Sequence, residues 1–255
     1  MQGFDRLWRI TPICAPHPDV LKALPMNTVI DPPAVPTVAV VGDDARFPVR
    51  RIFCVGRNYA DHVKEMGNDP KSEPPIFFTK PGDAVAPDGA LIPYPQNTSN
   101  LHHEIELVLA LGKGGKDIAE ADAMACVWGY GVGVDLTRRD RQAEAKSAGA
   151  PWDVAKAFDN SAPIGPLTPA SRVPQLSNAR IWLAVNGVVK QEGTLDQMIW
   201  SVPEIVASLS RSFELRPGDL IFTGTPAGVG KIEAGDVITG GIDGLAPLKF
   251  TIKPG

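Results

Sequence analysis

Three carboxylates in two strand-like segments are the residues best suited to chemistry. Glu104 and Glu106 lie in HHEIELVLAL, and Asp135 follows the apolar run WGYGVGV. Because side chains of a β-strand alternate between its faces, Glu104 and Glu106 are expected to point the same way. Carboxylates that share a buried face repel each other unless a hard cation such as Mg²⁺ or Mn²⁺ lies between them. The alternative is a solvated edge strand, which an isolated Glu-x-Glu pattern also fits.

A second group of residues could act as a general base. In NYADHVKEM, His62 and Glu65 are three residues apart, so they would be neighbours on one face of a helix. The carboxylate can orient the imidazole while the other ring nitrogen takes a proton from water. The alternative is an incidental ion pair on a surface helix. His102 precedes the carboxylate strand on the face of Glu104, and we expect it to support a metal ligand rather than to be one.

Basic residues follow Asp135 at the expected start of a helix. Arg138, Arg139 and Arg141 lie in TRRDRQAEAK, where cations oppose the helix macrodipole and therefore need another partner. That partner is either an anionic substrate or the neighbouring acidic side chains of a solvated face. Lys156 lies among small and apolar residues, so we expect it to be partly buried opposite the carboxylates and to require a partner.

The segment LIFTGTPAGVG ends a predicted strand in a glycine-rich turn. Its backbone N–H groups, together with the hydroxyl of Thr225, could bind a carboxylate. It is not a phosphate-binding P-loop, because the Lys-Ser/Thr pair of that motif is missing.

The order of elements predicts an α+β, β-rich fold. Short apolar runs separated by Gly and Pro turns predict strands in RIFCVG, PIFFTK, IELVLALG, WGYGVGVDL, IWLAVNG, LIFTGTP, DVITGGI and PLKFTI. Helical patterns occur near residues 58–66, 118–126, 138–149 and 203–213. Strands and helices do not alternate regularly, so a mixed β-roll or β-sandwich with peripheral helices is favoured over a doubly wound sheet. Prolines crowd residues 1–45, which we interpret as an extended arm, partly disordered, before a catalytic domain at 46–255.

Composition narrows the class of protein. The chain has 255 residues, 44% of them hydrophobic, and a net charge of −4. This charge provides no global field to attract nucleic acid or an anionic membrane, so a small-molecule substrate is favoured. No apolar run approaches the roughly 20 residues that span a bilayer, and we expect a cytoplasmic enzyme. The three cysteines show no CxxC spacing and predict neither a disulfide framework nor a zinc site.

A series of motifs resembles the fumarylacetoacetate hydrolase family, and the resemblance runs from about Arg51 to the C-terminus. In order, these motifs are CVGRNYADHVKEM, NLHHEIELVLALG, WGYGVGVDLTRRDRQ, PWDVAKAFDNSAPIGP, VNGVVKQEGTLDQMIWSVPEI and GDLIFTGTPAGVG. Within the family the chain is most similar to the small acylpyruvate hydrolases, above all the fumarylpyruvate hydrolases of gentisate breakdown. The proline-rich first 45 residues have no counterpart in this resemblance.

The resemblance implies a mixed β-roll, commonly a homodimer, with Mg²⁺ or Mn²⁺ held by Glu104, Glu106 and Asp135. It further implies that His62 and Glu65 lie on a segment that becomes ordered over the substrate. The implied substrate contacts are Arg139, Gln142, Lys156 and Thr225.

These expectations combine into a reaction on a 2,4-dioxo acid such as fumarylpyruvate. His62, oriented by Glu65, would deprotonate a water that adds to the distal carbonyl, and pyruvate would leave as an enolate whose charge the metal stabilises. The distal carboxylate of fumarylpyruvate needs another cation, for which Arg51, Arg57 and Lys80 are the candidates. Three alternatives stay open: oxaloacetate decarboxylation, isomerisation of a 2-oxo acid, and a structural cation in a protein without catalytic activity.

Overall fold

The computed structural model describes residues 28–59, 74–173 and 176–255. The chain divides into two compact units, residues 1–34 and 35–255. In the first unit, residues 28–34 are exposed and form no helix or strand. The second unit contains all the elements discussed below.

The second unit is rich in β-structure. Its strands are β1 (Thr37–Val40), β2 (Asp43–Pro48), β3 (Arg51–Gly56), β4 (Ile76–Lys80), β5 (Val85–Pro87), β6 (Leu91–Pro93), β7 (Leu101–His103), β8 (Ile105–Leu111), β9 (Val127–Val134), β10 (Thr137–Arg138), β11 (Ala162–Ile164), β12 (Thr168–Pro169), β13 (Arg180–Val185), β14 (Val188–Thr194), β15 (Asp219–Phe222), β16 (Gly230–Lys231), β17 (Val237–Ile242) and β18 (Leu248–Lys253).

Helices are short and few in the described part of the chain. The α-helices are α1 (Glu120–Ala123), α2 (Arg139–Ala148), α3 (Asp153–Lys156) and α4 (Val202–Ser212), and the 3₁₀ turns are Gly82–Ala84, Met124–Cys126, Ala170–Arg172 and Leu195–Gln197. No described helix is long and apolar enough to cross a membrane.

Two large mixed sheets dominate the architecture. One has the order β4-β3-β15-β8-β9-β11-β5, with β12 also paired to β9, and the other has the order β14-β13-β17-β18-β6. Most neighbours are antiparallel, but β3 with β15, β5 with β11 and β6 with β18 are parallel. A three-stranded sheet, β10-β7-β16, and the hairpin β1-β2 complete the set. The predicted β-rich α+β fold with peripheral helices is therefore confirmed.

The alternation of side chains along β8 separates two hydrophobic clusters. Leu107 and Leu109 join the larger cluster with Leu183 of β13, whereas Val108 joins a second cluster with Phe222 of β15. Because Glu106 is two residues from Val108, it lies on the face of the second cluster. The strand that carries the carboxylates is thus buried on both sides and is not an exposed edge.

The predicted strands and helices agree with the structure, with two exceptions. RIFCVG coincides with β3, and α4 buries the expected apolar stripe of Ile205, Val206 and Leu209 behind a Ser201 capping box. The end of the segment that we expected to be an extended arm instead forms the hairpin β1-β2. Pro36 is the last proline before β1, so no proline interrupts that strand. Asn58 and Tyr59 are not helical, and the rest of the predicted helix at 58–66 lies outside the described residues.

We expect Gly133→Ala to destabilise the fold. Gly133 lies opposite Glu106 in the β8–β9 ladder, and a Cβ there would come within 2.6 Å of side-chain atoms of Phe222 and Val108. Overpacking of this kind costs about 1–3 kcal/mol, which urea denaturation would measure. Gly115→Ala is the matched control, because its Cβ would meet only Ile118 at an ordinary 3.5 Å. Equal stability of the two variants would contradict the close packing described for β9.

Candidate active site

Strand register brings the three predicted carboxylates together. Glu104 lies between β7 and β8, Glu106 is in β8, and Asp135 directly follows β9. The N–H of Asp135 donates to the carbonyl of Glu104 at 2.8 Å, which continues the β8–β9 ladder. All three side chains are buried, and one carboxylate oxygen from each lies within 4.8 Å of the others.

Two buried lysines neutralise part of this cluster. Lys80 at the end of β4 places its Nζ 2.8 Å from Asp135 Oδ1 and donates to two backbone carbonyls. Lys156 at the end of α3 donates to Glu104 at 2.8 Å and to Asp135 and Thr137 at 2.6 Å each. Several partners for each ammonium offset the cost of burying its charge. The expectation that Lys156 is buried opposite the carboxylates and has a partner is confirmed.

The start of α2 supplies a third cation. Arg139 donates from Nη2 to Glu104 Oε1 at 2.5 Å and from Nη1 to Gln142 Oε1 at 2.6 Å. These contacts explain why Arg139 can lie at the start of a helix, where the macrodipole repels a cation. The carboxylate of Glu104 contacts the guanidinium directly, and its attraction outweighs that repulsion. Arg141 instead pairs with Asp140 and Glu144, which is the solvated alternative considered above.

Glu106 differs from the other two carboxylates in its partners. In the described parts of the chain no ammonium or guanidinium group pairs with Glu106, whose Oε2 accepts the N–H of Gly224 at 2.7 Å. Burial first, and then the charges of Asp135 and Glu104, raise the pKa of Glu106 well above its usual value. Burial alone would lower the pKa of Lys156, but the same two charges outweigh it, and that pKa is raised.

The donor set fits a hard divalent cation. The carboxylate oxygens are the ligand type that Mg²⁺ and Mn²⁺ prefer, and they lie close enough together to share one ion. The buried Glu106 carboxylate, which has no cationic partner among the described side chains, is the group that such an ion would neutralise.

Thr225 is held beside the carboxylates by a buried glutamine. Gln191 Oε1 accepts the N–H of Ile105 at 3.1 Å, which fixes the orientation of the amide. Its Nε2 therefore donates to Thr225 Oγ1 at 2.8 Å, and its Oε1 also accepts Nδ1–H of His103 at 2.8 Å. Because the Thr225 oxygen already accepts a hydrogen bond, its own proton is available to an acceptor in the pocket.

These groups line a small pocket with a cavity volume of about 30 Å³. That volume holds about two waters or an ion, so a larger ligand must extend towards the solvent. The lining residues are Val55, Gly56, Arg57, Phe78, Glu104, Glu106, Asp135, Arg139, Gln142, Lys146, Trp152, Lys156 and Thr225.

Some of the predicted residues lie elsewhere. Of the three candidates for a distal carboxylate, Arg51 pairs with the buried Asp219 outside the pocket, Lys80 is committed to Asp135, and Arg57 lines the pocket. His62 and Glu65 lie outside the described residues.

His102 contacts Arg139 and not a carboxylate. It is half-buried, its Nδ1 accepts from Arg139 Nε at 3.4 Å, and its Nε2 donates to Asn100. Burial, and then the charge of Arg139, lower the pKa of His102 to about 4. The glycine-rich turn also differs from expectation, since its Gly224 N–H binds Glu106 of the chain itself.

Sequence reasoning missed several residues of this site, three of them polar or aromatic side chains with a specific contact. Gln191 acts through long-range contacts that no local pattern shows. Lys146 and Trp152 line the pocket as well. The spacing of Lys146 from Arg139, seven residues along α2, was a usable signal, because i and i+7 share a helix face.

Comparison with known proteins agrees with the site. Residues 51–253 match the fumarylacetoacetate (FAA) hydrolase C-terminal family. A crystal structure of fumarylpyruvate hydrolase from Pseudomonas aeruginosa in complex with Mn²⁺ and pyruvate matches with a TM-score of 0.88 and 53% identity, over 90% of this chain and 100% of that chain.

Two curated relatives have other activities. A mitochondrial oxaloacetate tautomerase of Mus musculus is 48% identical over 204 residues, which are 80% of this chain and 92% of that protein. A mitochondrial oxaloacetate decarboxylase of Dictyostelium discoideum is 44% identical over 205 residues, 80% of this chain and 94% of that protein. Similarity of this extent shows the family but not the substrate.

We expect Glu106→Gln to weaken Mn²⁺ binding by about 100-fold or more. Loss of a residue that only orients a metal ligand already costs about 10–100-fold in affinity, and loss of the ligand itself should cost at least as much. Isothermal titration calorimetry measures the affinity, with the exposed Glu120→Gln on α1 as control. Unchanged affinity for Glu106→Gln would place the ion elsewhere.

The same substitution is expected to raise the melting temperature of the metal-free protein at pH 8. A carboxyl group whose pKa is raised by folding stabilises the fold below its unfolded pKa and loses that contribution as the pH rises through its folded pKa. Removing the charge should therefore help at pH 8 and make little difference near pH 4. A melting temperature that falls at pH 8 would contradict this reasoning.

We expect Gln191→Leu to lower the free energy of unfolding by about 1–3 kcal/mol, since it leaves the buried N–H of Ile105 without an acceptor. It should also raise the KM for substrate, because Thr225 is no longer oriented. Gln96→Leu, at an exposed position, is the control. A stable variant with an unchanged KM would refute the role given to Gln191.

Proposed function

Because the chain belongs to the fumarylacetoacetate hydrolase family, we propose that it is a metal-dependent hydrolase of a carbon–carbon bond in a 2,4-dioxo acid. The favoured substrate is fumarylpyruvate, which it would convert to fumarate and pyruvate. Support comes from the buried cluster of Glu104, Glu106 and Asp135 in a pocket that cations otherwise dominate. The match to a fumarylpyruvate hydrolase bound to Mn²⁺ and pyruvate supports the choice of substrate.

The charges in the pocket favour an anionic substrate. Lys80, Lys156 and Arg139 already balance the three carboxylates by number, and a further lysine, Lys146, lines the same pocket. A divalent cation would leave the pocket with a clear positive excess. A dicarboxylate such as fumarylpyruvate would neutralise more of that excess than a monoacid.

Glu104, Glu106 and Asp135 would hold Mg²⁺ or Mn²⁺. When bound, the ion would act as a Lewis acid that stabilises the enolate charge developing as pyruvate leaves. Arg139 and Gln142, whose side chains are already joined, would bind the carboxylate or oxo groups of the pyruvate portion.

Lys156 and Thr225, which both line the pocket, would act on the charge of the substrate. The Lys156 ammonium is ionised at neutral pH and lies against two carboxylates, from which it would neutralise charge on the tetrahedral intermediate. The Thr225 hydroxyl, which accepts from Gln191, would donate its proton to a substrate oxygen. Neither role requires a movement of the strands.

His62, oriented by Glu65, would deprotonate the water that attacks the distal carbonyl. Both lie outside the described residues, but the chain leading to them is anchored at the pocket. Asn58 is buried and exchanges hydrogen bonds with the backbone of Trp200 and Thr223, beside the Gly224 turn. His62 follows Asn58 by four residues, a separation of at most about 14 Å, and this short connection supports the role proposed for it.

Oxaloacetate chemistry is the second candidate function. It is favoured by the 48% identity to an oxaloacetate tautomerase and the 44% identity to an oxaloacetate decarboxylase. Both reactions use the same 2-oxo acid group but require no water to attack a distal carbonyl. Attack by an activated water is therefore what separates the hydrolase from these reactions.

The wider setting is also part of the proposal. We place the enzyme in aromatic catabolism through gentisate, in the cytoplasm, as a homodimer. Support comes from the similarity to bacterial fumarylpyruvate hydrolases. The mitochondrial relatives share the catalytic domain but come from eukaryotes.

The test measures pyruvate release and loss of dioxo absorbance with Mg²⁺ or Mn²⁺ on fumarylpyruvate, acetylpyruvate and oxaloacetate, with a chelator as control. We expect rapid metal-dependent cleavage of fumarylpyruvate, and a loss of about 10²–10⁴ in kcat for His62→Ala. His17→Ala, in the N-terminal segment outside the described residues, is the matched control. Loss of carbon dioxide from oxaloacetate alone would make the enzyme a decarboxylase, and enol–keto interconversion alone would make it a tautomerase.

A further inference from the structure

One face of α2 runs along the wall of the pocket. Arg139, Gln142 and Lys146 all line it, at helix positions i, i+3 and i+7. Arg139 is at the inner end, where it contacts Glu104. Lys146 is two turns further along the helix and is exposed, so it lies at the mouth of the pocket.

The ammonium of Lys146 has no carboxylate partner among the described side chains. It lies 5.3 Å from the centre of the Trp152 ring, which also lines the pocket. The neighbouring acid on the helix, Glu144, pairs with Arg141 instead. A lysine held on an aromatic ring and facing a pocket is positioned to receive an anion.

Among the described residues, cations outnumber carboxylates around Lys146. Arg57 lines the same pocket and has a left-handed backbone with φ of 60°. Burial, and then the charges of Arg139 and Arg57, lower the pKa of Lys146, while Glu104 raises it and Lys156 lowers it. An added carboxylate would relieve this repulsion.

The length of the binding face fits a long diacid. Seven helical residues advance about 10 Å, which separates the inner and outer ends of the binding face. An extended seven-carbon chain has about 7 Å between its end carbons, and a hydrogen bond at each end adds about 3 Å, so such a chain covers this distance. A monoacid of the same length has no second carboxylate to place at Lys146.

We propose that Lys146, resting on Trp152, binds the distal carboxylate of a seven-carbon 2-oxo diacid and thereby selects such substrates over monoacids. Lys146 is a specificity-determining residue and takes no part in bond cleavage. The inference rests on the proposed function, because it assumes that the inner end of the pocket binds the 2-oxo acid group.

The test compares two probes that cannot be hydrolysed, because neither has a 4-oxo group. They are 2-oxoheptanedioate and 2-oxoheptanoate, which have the same length and differ only in the distal carboxylate. Calorimetry with the Mn²⁺-loaded protein should show about tenfold tighter binding of the diacid, the usual scale for one charge-assisted hydrogen bond. Equal affinity of the wild-type protein for both probes would refute the subsite.

Variants of Lys146 then assign the preference to this residue. Lys146→Met, which keeps the apolar stem on Trp152, should lose the tenfold preference, and Lys146→Arg should keep most of it. Lys249→Met removes an exposed lysine of β18 and should bind both probes as the wild type does. The proposal is overturned if Lys146→Met keeps the preference, or if it weakens both probes by the same factor.

The design separates this inference from the proposed function. If the wild-type protein releases no pyruvate from fumarylpyruvate yet still prefers the diacid probe through Lys146, the hydrolase proposal fails and the subsite stands. Suppose instead that the wild-type protein cleaves fumarylpyruvate, and that Lys146→Met has the same ratio of kcat/KM for fumarylpyruvate over acetylpyruvate as the wild type. The subsite then fails and the hydrolase proposal stands.

Discussion

The mutual neutralisation of buried charges is the constraint on which the site depends. Glu104, Glu106 and Asp135 lie together inside the protein, where uncompensated carboxylates would cost several kcal/mol each. Lys80 and Lys156 provide part of the compensation from two other elements, β4 and α3. Removing Lys80 or Lys156 would leave its carboxylate partners unbalanced, so these elements must pack together for the site to exist.

The scaffold around this cluster is rigid for a physical reason. The carboxylates are attached to β8 and to the end of β9, whose side chains are buried in two hydrophobic clusters. A slip of one residue in register would turn Glu106 towards the opposite hydrophobic cluster and away from the Gly224 N–H that it accepts. Gln191 then ties Thr225 to the backbone of β8, so this part of the pocket wall is held by the same strand as Glu106.

On the proposed function, specificity comes from the mouth of the pocket. The inner part would bind the 2-oxo acid group, which fumarylpyruvate and oxaloacetate both contain. Family members can then differ in substrate and reaction, as the relatives of this chain do. The residues at the mouth, among them Lys146 and Trp152, are free to vary without disturbing the buried charges, and so they can decide which acid is bound.

The sequence by itself determined most of the long strands and the common face of two carboxylates. Period-two alternation placed Glu104 and Glu106 on one face, and apolar runs between Gly and Pro turns marked most of the long strands, because these signals are local. Only the tertiary structure decided what depends on contacts between distant residues. It paired Arg51 with Asp219, committed Lys80 to Asp135 and placed Gln191 behind Thr225. Such pairings arise from strand order and packing, which no local pattern encodes.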